Sequence, residues 1–257
     1  MVENGLEFIR AEIAGFIEEW KKQKGIDVWR DPLVACASPR DPLMKALKKA
    51  VDPAHAMPRD LLPEAESVIV YYLPFRPEYG RENDAAGENC ARSWAVLYFK
   101  TNELILEINA HLQRALERLG YKAAVTPATH NFDEQKLISL WSHKHLGYIA
   151  GLGTFGLHHI LITPSGCCGR LGSLVTSMPI APTPRPNREF CLEKAGRECL
   201  ACYSKCTYGA LTLPGSPFDR HACYAQCLRN DAHFDDLPLV DVCGKCSCEV
   251  PCSYMAP

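Results

Sequence analysis

Ten cysteines crowd into residues 191–252, and no other feature restricts so tightly what this chain can become. They are Cys191, Cys199, Cys202, Cys206, Cys223, Cys227, Cys243, Cys246, Cys248 and Cys252. A chain of 257 residues with 47% hydrophobic composition has ample apolar surface for a core, so the thiols are not needed to staple a very small fold. The opening residues, MVENGLEFIRAEIAGFIEEW, carry no basic stretch followed by a continuous apolar run, so they do not read as a secretory leader and a cytoplasmic location is expected. In a reducing compartment, crowded thiols hold metals before they pair as disulfides.

Spacing narrows the choice of metal. Two-cluster ferredoxins use C-x2-C-x2-C-x3-C-P, in which three close thiolates hold one 4Fe–4S cube and the fourth reaches the other. The run Cys199-x2-Cys202-x3-Cys206 keeps the last three of these, with Gly196 where the first would stand and Thr207 in place of the proline. A cube needs four converging thiolates but no fixed interval, so Cys191 is expected to supply the missing ligand from upstream. The near set is then Cys191, Cys199, Cys202 and Cys252, and the far set Cys206, Cys223, Cys243 and Cys246, with Cys227 and Cys248 left as spares or substitutes. C-x2-C pairs also build zinc ribbons, so two zinc sites are the competing reading. Ten cysteines around a C-x2-C-x3-C core favour iron–sulfur, and two adjacent cubes imply that the rest of the chain holds something to reduce.

Upstream, Leu6, Ile9, Ile13, Phe16, Ile17 and Trp20 recur at helical spacing. Residues 67–73 read as a buried strand ending at Pro74, and residues 93–119 as one long helix stopped by Gly120. A second strand is expected at 121–125, and a helix at 133–146 capped by Asn131 or Asp133. Strands at 159–163 and 171–176 are joined by the turn PSGCCG. The proline-rich MPIAPTPRPN marks a boundary near residue 180, dividing a core (1–180) from a cysteine-rich, ferredoxin-like module (181–257), and the class is α+β. Lys+Arg 28 against Asp+Glu 30 leaves a net charge of -2, without the positive field that holds nucleic acid or an anionic membrane. No apolar run reaches the roughly 18 to 20 residues of a membrane span.

The stretch AGLGTFG places Gly151, Gly153 and Gly156 at the G-x-G-x-x-G spacing. The nucleotide fingerprint of that spacing needs a strand before it and a helix after it. Here the order is reversed, so the loop is expected to approach a flat ligand or a neighbouring backbone closely. His143 with His145, and His158 with His159, do not form metal pincers by spacing, and Cys167 and Cys168 read as turn thiols.

Taken with the strand LHHILIT, the pair Leu171-Gly172 and Gly209-Ala210-Leu211 after the first cysteine group, this loop resembles that of the epoxyqueuosine reductases, relatives of the reductive dehalogenases. The resemblance runs from Ser67 to the C-terminus. It implies a nitroreductase-like core that binds cobalamin, with the near cluster close to cobalt and a ferredoxin or flavodoxin as electron donor. Cofactor contacts are expected from Gly151, Gly153, Thr154, Phe155, Gly156 and Leu157, and from Tyr72 and Arg76 near the end of the first strand. The family's general-acid aspartate lies shortly before the glycine loop; Asp133 is the nearest upstream aspartate here and takes that expectation. The family's tRNA-binding extension has no counterpart after Cys252, so a small-molecule substrate and no nucleic acid are expected. The competing readings are an electron-transfer accessory protein without corrinoid, a flavin-bound core, and a zinc-stabilised interaction module.

Overall fold

The computed structural model describes residues 4–126, 132–206 and 208–257. The amphipathic N-terminal segment forms α1 (Gly5–Lys24), where the Asn4 side chain accepts from Glu7 N at 3.3 Å and Gly25 closes the helix at φ 66°. There follow β1 (Leu33–Ala37), α2 (Pro42–Ala50), α3 (Pro58–Leu61), β2 (Ser67–Pro74), α4 (Pro77–Ala85) and α5 (Arg92–Arg118). Next come β3 (Ala123–Val125), the short strands β4 (Phe132–Asp133) and β5 (Ile138–Ser139), α6 (His143–Ile149), β6 (Thr154–Phe155), β7 (Leu161–Ile162) and β8 (Gly169–Thr176). The cysteine-rich remainder holds α7 (Ala201–Lys205), α8 (Arg220–His233) and a 3-10 turn at Lys245–Ser247. No helix among the described residues is long and apolar enough to cross a membrane.

The sequence SVIVYYLP shows no polar alternation, so its strand must be covered on both faces. It sits inside a four-stranded sheet of order β1-β2-β8-β3, with every pair antiparallel. Ile69, Tyr71 and Leu73 face one layer with Ile13, Trp20, Leu104 and Leu112 of α1 and α5. Val68, Val70 and Tyr72 face the other, with Met44, Leu146 and Ile149 of α2 and α6. Each fully buried aliphatic side chain of these layers contributes about 1.5–3 kcal/mol. A slip of one residue would exchange the two sets, which fixes the register.

Several expected elements are corrected. The helix expected at 133–146 begins only at His143, because Phe132 and Asp133 pair with Ser139 and Ile138 in a hairpin. Asn131, the other expected cap, lies outside the described residues. The strands expected at 159–163 and 171–176 do not pair with each other: β7 pairs with β6, while β8 runs between β2 and β3. The turn between them turns away to meet the C-terminus instead, with Cys167 N donating to Cys252 O at 2.9 Å and Cys168 N to Ser253 O at 2.9 Å.

The C-terminal segment is tied to the core by buried polar groups as well as apolar contact. Asn83 donates to Cys243 O at 2.9 Å, and Asn230 donates to Val242 O at 2.7 Å while accepting from Cys90 N at 3.1 Å. The Arg30 guanidinium reaches Phe75 O, Tyr254 O and Ser165 O at 3.0, 3.0 and 2.6 Å. These bonds satisfy carbonyls that the docking removes from water.

Candidate functional site

Four cysteines from different parts of the module meet the glycine loop of the core. Cys191, Cys199, Cys202 and Cys252 line one small cavity together with Gly156, Leu157, His158 and Ile162. Burial pushes the Cys202 thiol up to about 12, and the facing Cys252, Cys191 and Cys199 add to the shift. Cys252 goes the other way, down to about 5, because the Cys167 thiol donates to it and His158 assists, against its burial. A raised thiol is neutral, and a cation bound among these sulfurs would favour their thiolate forms.

A second group forms beside α8. The Cys246 thiol is pushed well up by burial, then by Cys243, Cys223 and Cys206. Cys243 rises to about 11 from burial, with Cys223 and Cys206 also raising it. Cys227, one helical turn after Cys223, hydrogen-bonds to that thiol and makes a fifth member. Cys248 belongs to neither group: it is fully buried, hydrogen-bonds with Cys168 and accepts from Asn83 at 3.4 Å.

The spread of these donors bears on the metal. Four thiolates on one zinc, each at about 2.3 Å, lie about 3.8 Å apart. Among the described residues, the three donors that lie within 4.8 Å of one another are His158, Cys167 and Cys252, and neither set of four is drawn in so tightly. A 4Fe–4S cube holds its thiolates at the corners of a larger cage than a single zinc ion does.

On the other side of the glycine loop lies an open cleft of about 680 Å³. Its walls come from the end of α2, the β4–β5 hairpin, α6, β6 and the start of α8. Phe132, Phe155 and Phe218 provide flat apolar surface, and Lys144, His145, His159 and Arg220 provide nitrogen donors. Burial first, then Lys144 and His55, push His145 down to about 4, so its ring is neutral. Lys144 is exposed and donates to His159 O at 3.1 Å; desolvation by neighbouring protein atoms and the Arg220 charge lower its pKa. His159 takes a φ of 60°, a region histidine tolerates better than most residues, and this turns adjacent imidazoles to different cavities: His158 to the thiols and His159 to the cleft. Flat apolar walls with basic groups at the edge fit a planar ligand whose periphery carries acidic or amide oxygens.

The glycines of the loop make room for protein atoms. A Cβ on Gly153 would lie 1.9 Å from Ile162 O, and one on Gly156 would lie 2.4 Å from the His158 ring. Gly151 has φ 86° and its Cα side faces Pro184 O. The loop thus makes close approaches to backbone at Gly151 and Gly153 and to the His158 ring at Gly156. Of the remaining loop residues, Phe155 faces the cleft, Leu157 faces the thiols, and Thr154 accepts from Phe190 N at 2.8 Å.

Three expected residues stand elsewhere. Tyr72 is buried beside Cys167 and Cys168, its hydroxyl has no hydrogen-bond partner among the described residues, and it does not line the cleft. Arg76 is half-exposed and pairs with Asp27. Asp133 accepts from Lys136 N at 2.8 Å and Gln135 N at 2.9 Å, which lowers its pKa and ties the carboxylate to a turn at the cleft's hairpin. Lys144, His145, His159 and Arg220 were not expected from sequence, because they come together from α6, a loop and α8 with no common spacing.

The fold is similar to that of solved epoxyqueuosine reductases. A selenomethionine-labelled epoxyqueuosine reductase matches with TM-score 0.52 and 18% identity, over 96% of this chain and 70% of that one. Epoxyqueuosine reductase from Bacillus subtilis matches with TM-score 0.53 and 17% identity, over 95% and 69%. A third, solved with an epoxyqueuosine-modified tRNA-Tyr stem loop, matches with TM-score 0.52 and 18% identity, over 85% and 58%. No protein-family model and no curated protein matches the chain. The likeness is one of fold.

The third structure corrects one expectation. The near-zero net charge and the lack of a counterpart to the family's tRNA-binding extension were taken to exclude nucleic acid, yet a protein of this fold is seen with an RNA stem loop. Net charge averages over the whole surface, whereas recognition depends on local groups.

Proposed function

We propose that this chain is an iron–sulfur reductase that binds two 4Fe–4S clusters and, in the cleft, a corrinoid. Cys191, Cys199, Cys202 and Cys252 hold the near cluster, and Cys206, Cys223, Cys243 and Cys246 the far one. Residues 1–180 act as a nitroreductase-like core and residues 181–257 as a ferredoxin-like module. The observation that carries the reading is the position of residues 154–157: Phe155 lines the cleft while Gly156 and Leu157 line the thiol cavity. One thin segment of backbone thus separates a cluster from a ligand in the cleft.

When bound, these groups supply one-electron transfer and a low-valent metal centre for reductive chemistry. The chain's own residues do the rest. Phe132, Phe155 and Phe218 cover the flat faces of what enters and exclude water. Arg220 and Lys144 draw in a substrate that carries negative charge, a requirement met by a nucleotide within RNA as well as by a free phosphorylated molecule. Lys144 is the proton donor: its pKa is lowered, and its ammonium is fixed at 3.1 Å from His159 O. Asp133 is a poor candidate for that role, since two backbone N–H groups stabilise its ionised form. Electrons arrive at the far group from a ferredoxin or flavodoxin.

The test is anaerobic reconstitution with iron and sulfide, then gel filtration with excess cobalamin and, separately, with flavin mononucleotide. One corrinoid retained per chain, with a cob(II)alamin spectrum, is expected. Retention of flavin alone replaces the corrinoid in this reading, and elution of an iron-loaded protein free of both returns the chain to an accessory electron carrier.

A further inference from the structure

We propose that His158 is a positioning residue that donates its Nε2–H to the Cys252 thiolate, making the near cluster easier to reduce than it would otherwise be. The inference rests on the iron–sulfur reading of the thiol cavity and extends it to a residue outside the ligand sets.

The tautomer follows from the backbone. Ile160 N lies 3.1 Å from His158 Nδ1, and a backbone N–H can only donate. Nδ1 is therefore the bare nitrogen of a neutral ring, and the proton sits on Nε2. Nε2 lies 3.5 Å from Cys252 Sγ, at the outer limit for a long N–H···S contact. The ring is 3% exposed, so water does not compete for that proton.

The loop is shaped to keep the ring there. Gly156 carries no Cβ where one would lie 2.4 Å from Cε1 and 2.7 Å from Nδ1 of the imidazole. Gly156 N donates to Ile160 O at 3.0 Å and His159 N to Gly156 O at 3.1 Å, closing the turn around His158. The third glycine of the motif thus seats a histidine against a cysteine. Cys167 Sγ approaches the same sulfur at 3.9 Å, giving Cys252 two donors. Hydrogen bonds to a cluster's sulfurs favour its more negative, reduced state and raise its potential. Among the described residues no comparable side-chain donor reaches Cys191, Cys199 or Cys202; the hydrogen bond at Cys199 is made by its backbone N–H to Glu193.

His158, Cys167 and Cys252 are also close enough to hold one thiophilic ion themselves, with His158 as a ligand. The experiment separates the two roles. Reconstituted full-length protein and its His158→Phe and His158→Gln variants are titrated electrochemically, with each cluster followed by electron paramagnetic resonance. Deuteron couplings are measured on the wild type after exchange into D2O.

His158→Phe is expected to keep about eight iron and eight sulfide. At a fixed potential its near cluster shifts about tenfold toward the oxidised form, about 59 mV for one electron. The far cluster serves as the internal control and does not move. His158→Gln restores an N–H and recovers at least part of the shift, and the wild-type near cluster shows an exchangeable deuteron that His158→Phe lacks. An unmoved near-cluster potential, an equal shift of both clusters, or no exchangeable deuteron in the wild type overturns the proposal. So does loss of metal in both variants together with one zinc bound to the wild type, which makes His158 a ligand. Wild-type protein that takes up no acid-labile sulfide refutes the iron–sulfur reading itself, a result distinct from all of these.

Discussion

The two cysteine groups use the same chemistry on different supports. The near group has one wall made by the core: Gly156, Leu157, His158 and Ile162, braced by the β6–β7 pair. The far group is made of thiols from α8 and the loops on either side of it, and five of them face one another where a cube needs four. A wall built on packed apolar side chains persists without metal, whereas a knot of buried thiols is held open mainly by what it binds. The near site is therefore expected to be largely preformed and the far site to be shaped by its cluster.

Removing iron is the largest way to break this comparison. After anaerobic chelation, amide hydrogen exchange in α8 is expected to accelerate by at least about 100-fold while β2 stays protected. Equal loss of protection in both would show that the core also depends on metal. Gly153→Ala attacks the preformed wall instead, since its Cβ would lie 1.9 Å from Ile162 O. It is expected to cost about 3 kcal/mol in denaturant unfolding and to weaken loading of the near cluster more than the far. A neutral substitution would mean that the loop is free to move.

Single ligands sharpen the contrast further. Cys252→Ala is expected to remove about half of the iron, and Cys227→Ala almost none, because the far group retains four thiols without it. A large iron loss in Cys227→Ala would exchange its role with one of the four assigned cysteines.

The smallest effect concerns the cleft. His145 titrates near 4 in the folded chain, below the 6.5 of an unperturbed imidazole, so the unfolded chain binds the extra proton between these values. Its contribution to stability is complete above about pH 6.5 and is lost as the pH falls toward 4. It amounts to about 2 kcal/mol after allowance for solvent screening. Unfolding of His145→Gln as a function of pH should lack that part of the acid slope, and an unchanged slope assigns it to other groups.

What the sequence revealed depends on whether a local pattern carried the signal. The run SVIVYYLP and the periodic apolar residues of α1 and α5 announce a doubly covered strand and its helices. β1 was hidden, because LVACA is short, rich in alanine and flanked by proline-rich chain; it becomes a strand by pairing with β2. α8 was hidden by its polarity, since it buries Gln226 and Asn230 rather than an apolar stripe. Counting ligands and applying the ferredoxin spacing led to a near set whose four members line one cavity. The cleft had no such rule behind it: Lys144, His145 and Arg220 are neighbours only because α6 and α8 meet. Asp133 illustrates the converse, an acid placed by sequence position that the hairpin uses to hold a turn.

The most direct test of the central claim is the iron and acid-labile sulfide content of the anaerobically reconstituted chain. About eight of each per chain, with broad visible absorbance that bleaches on reduction, is predicted. A colourless protein that holds zinc and no sulfide would contradict the account.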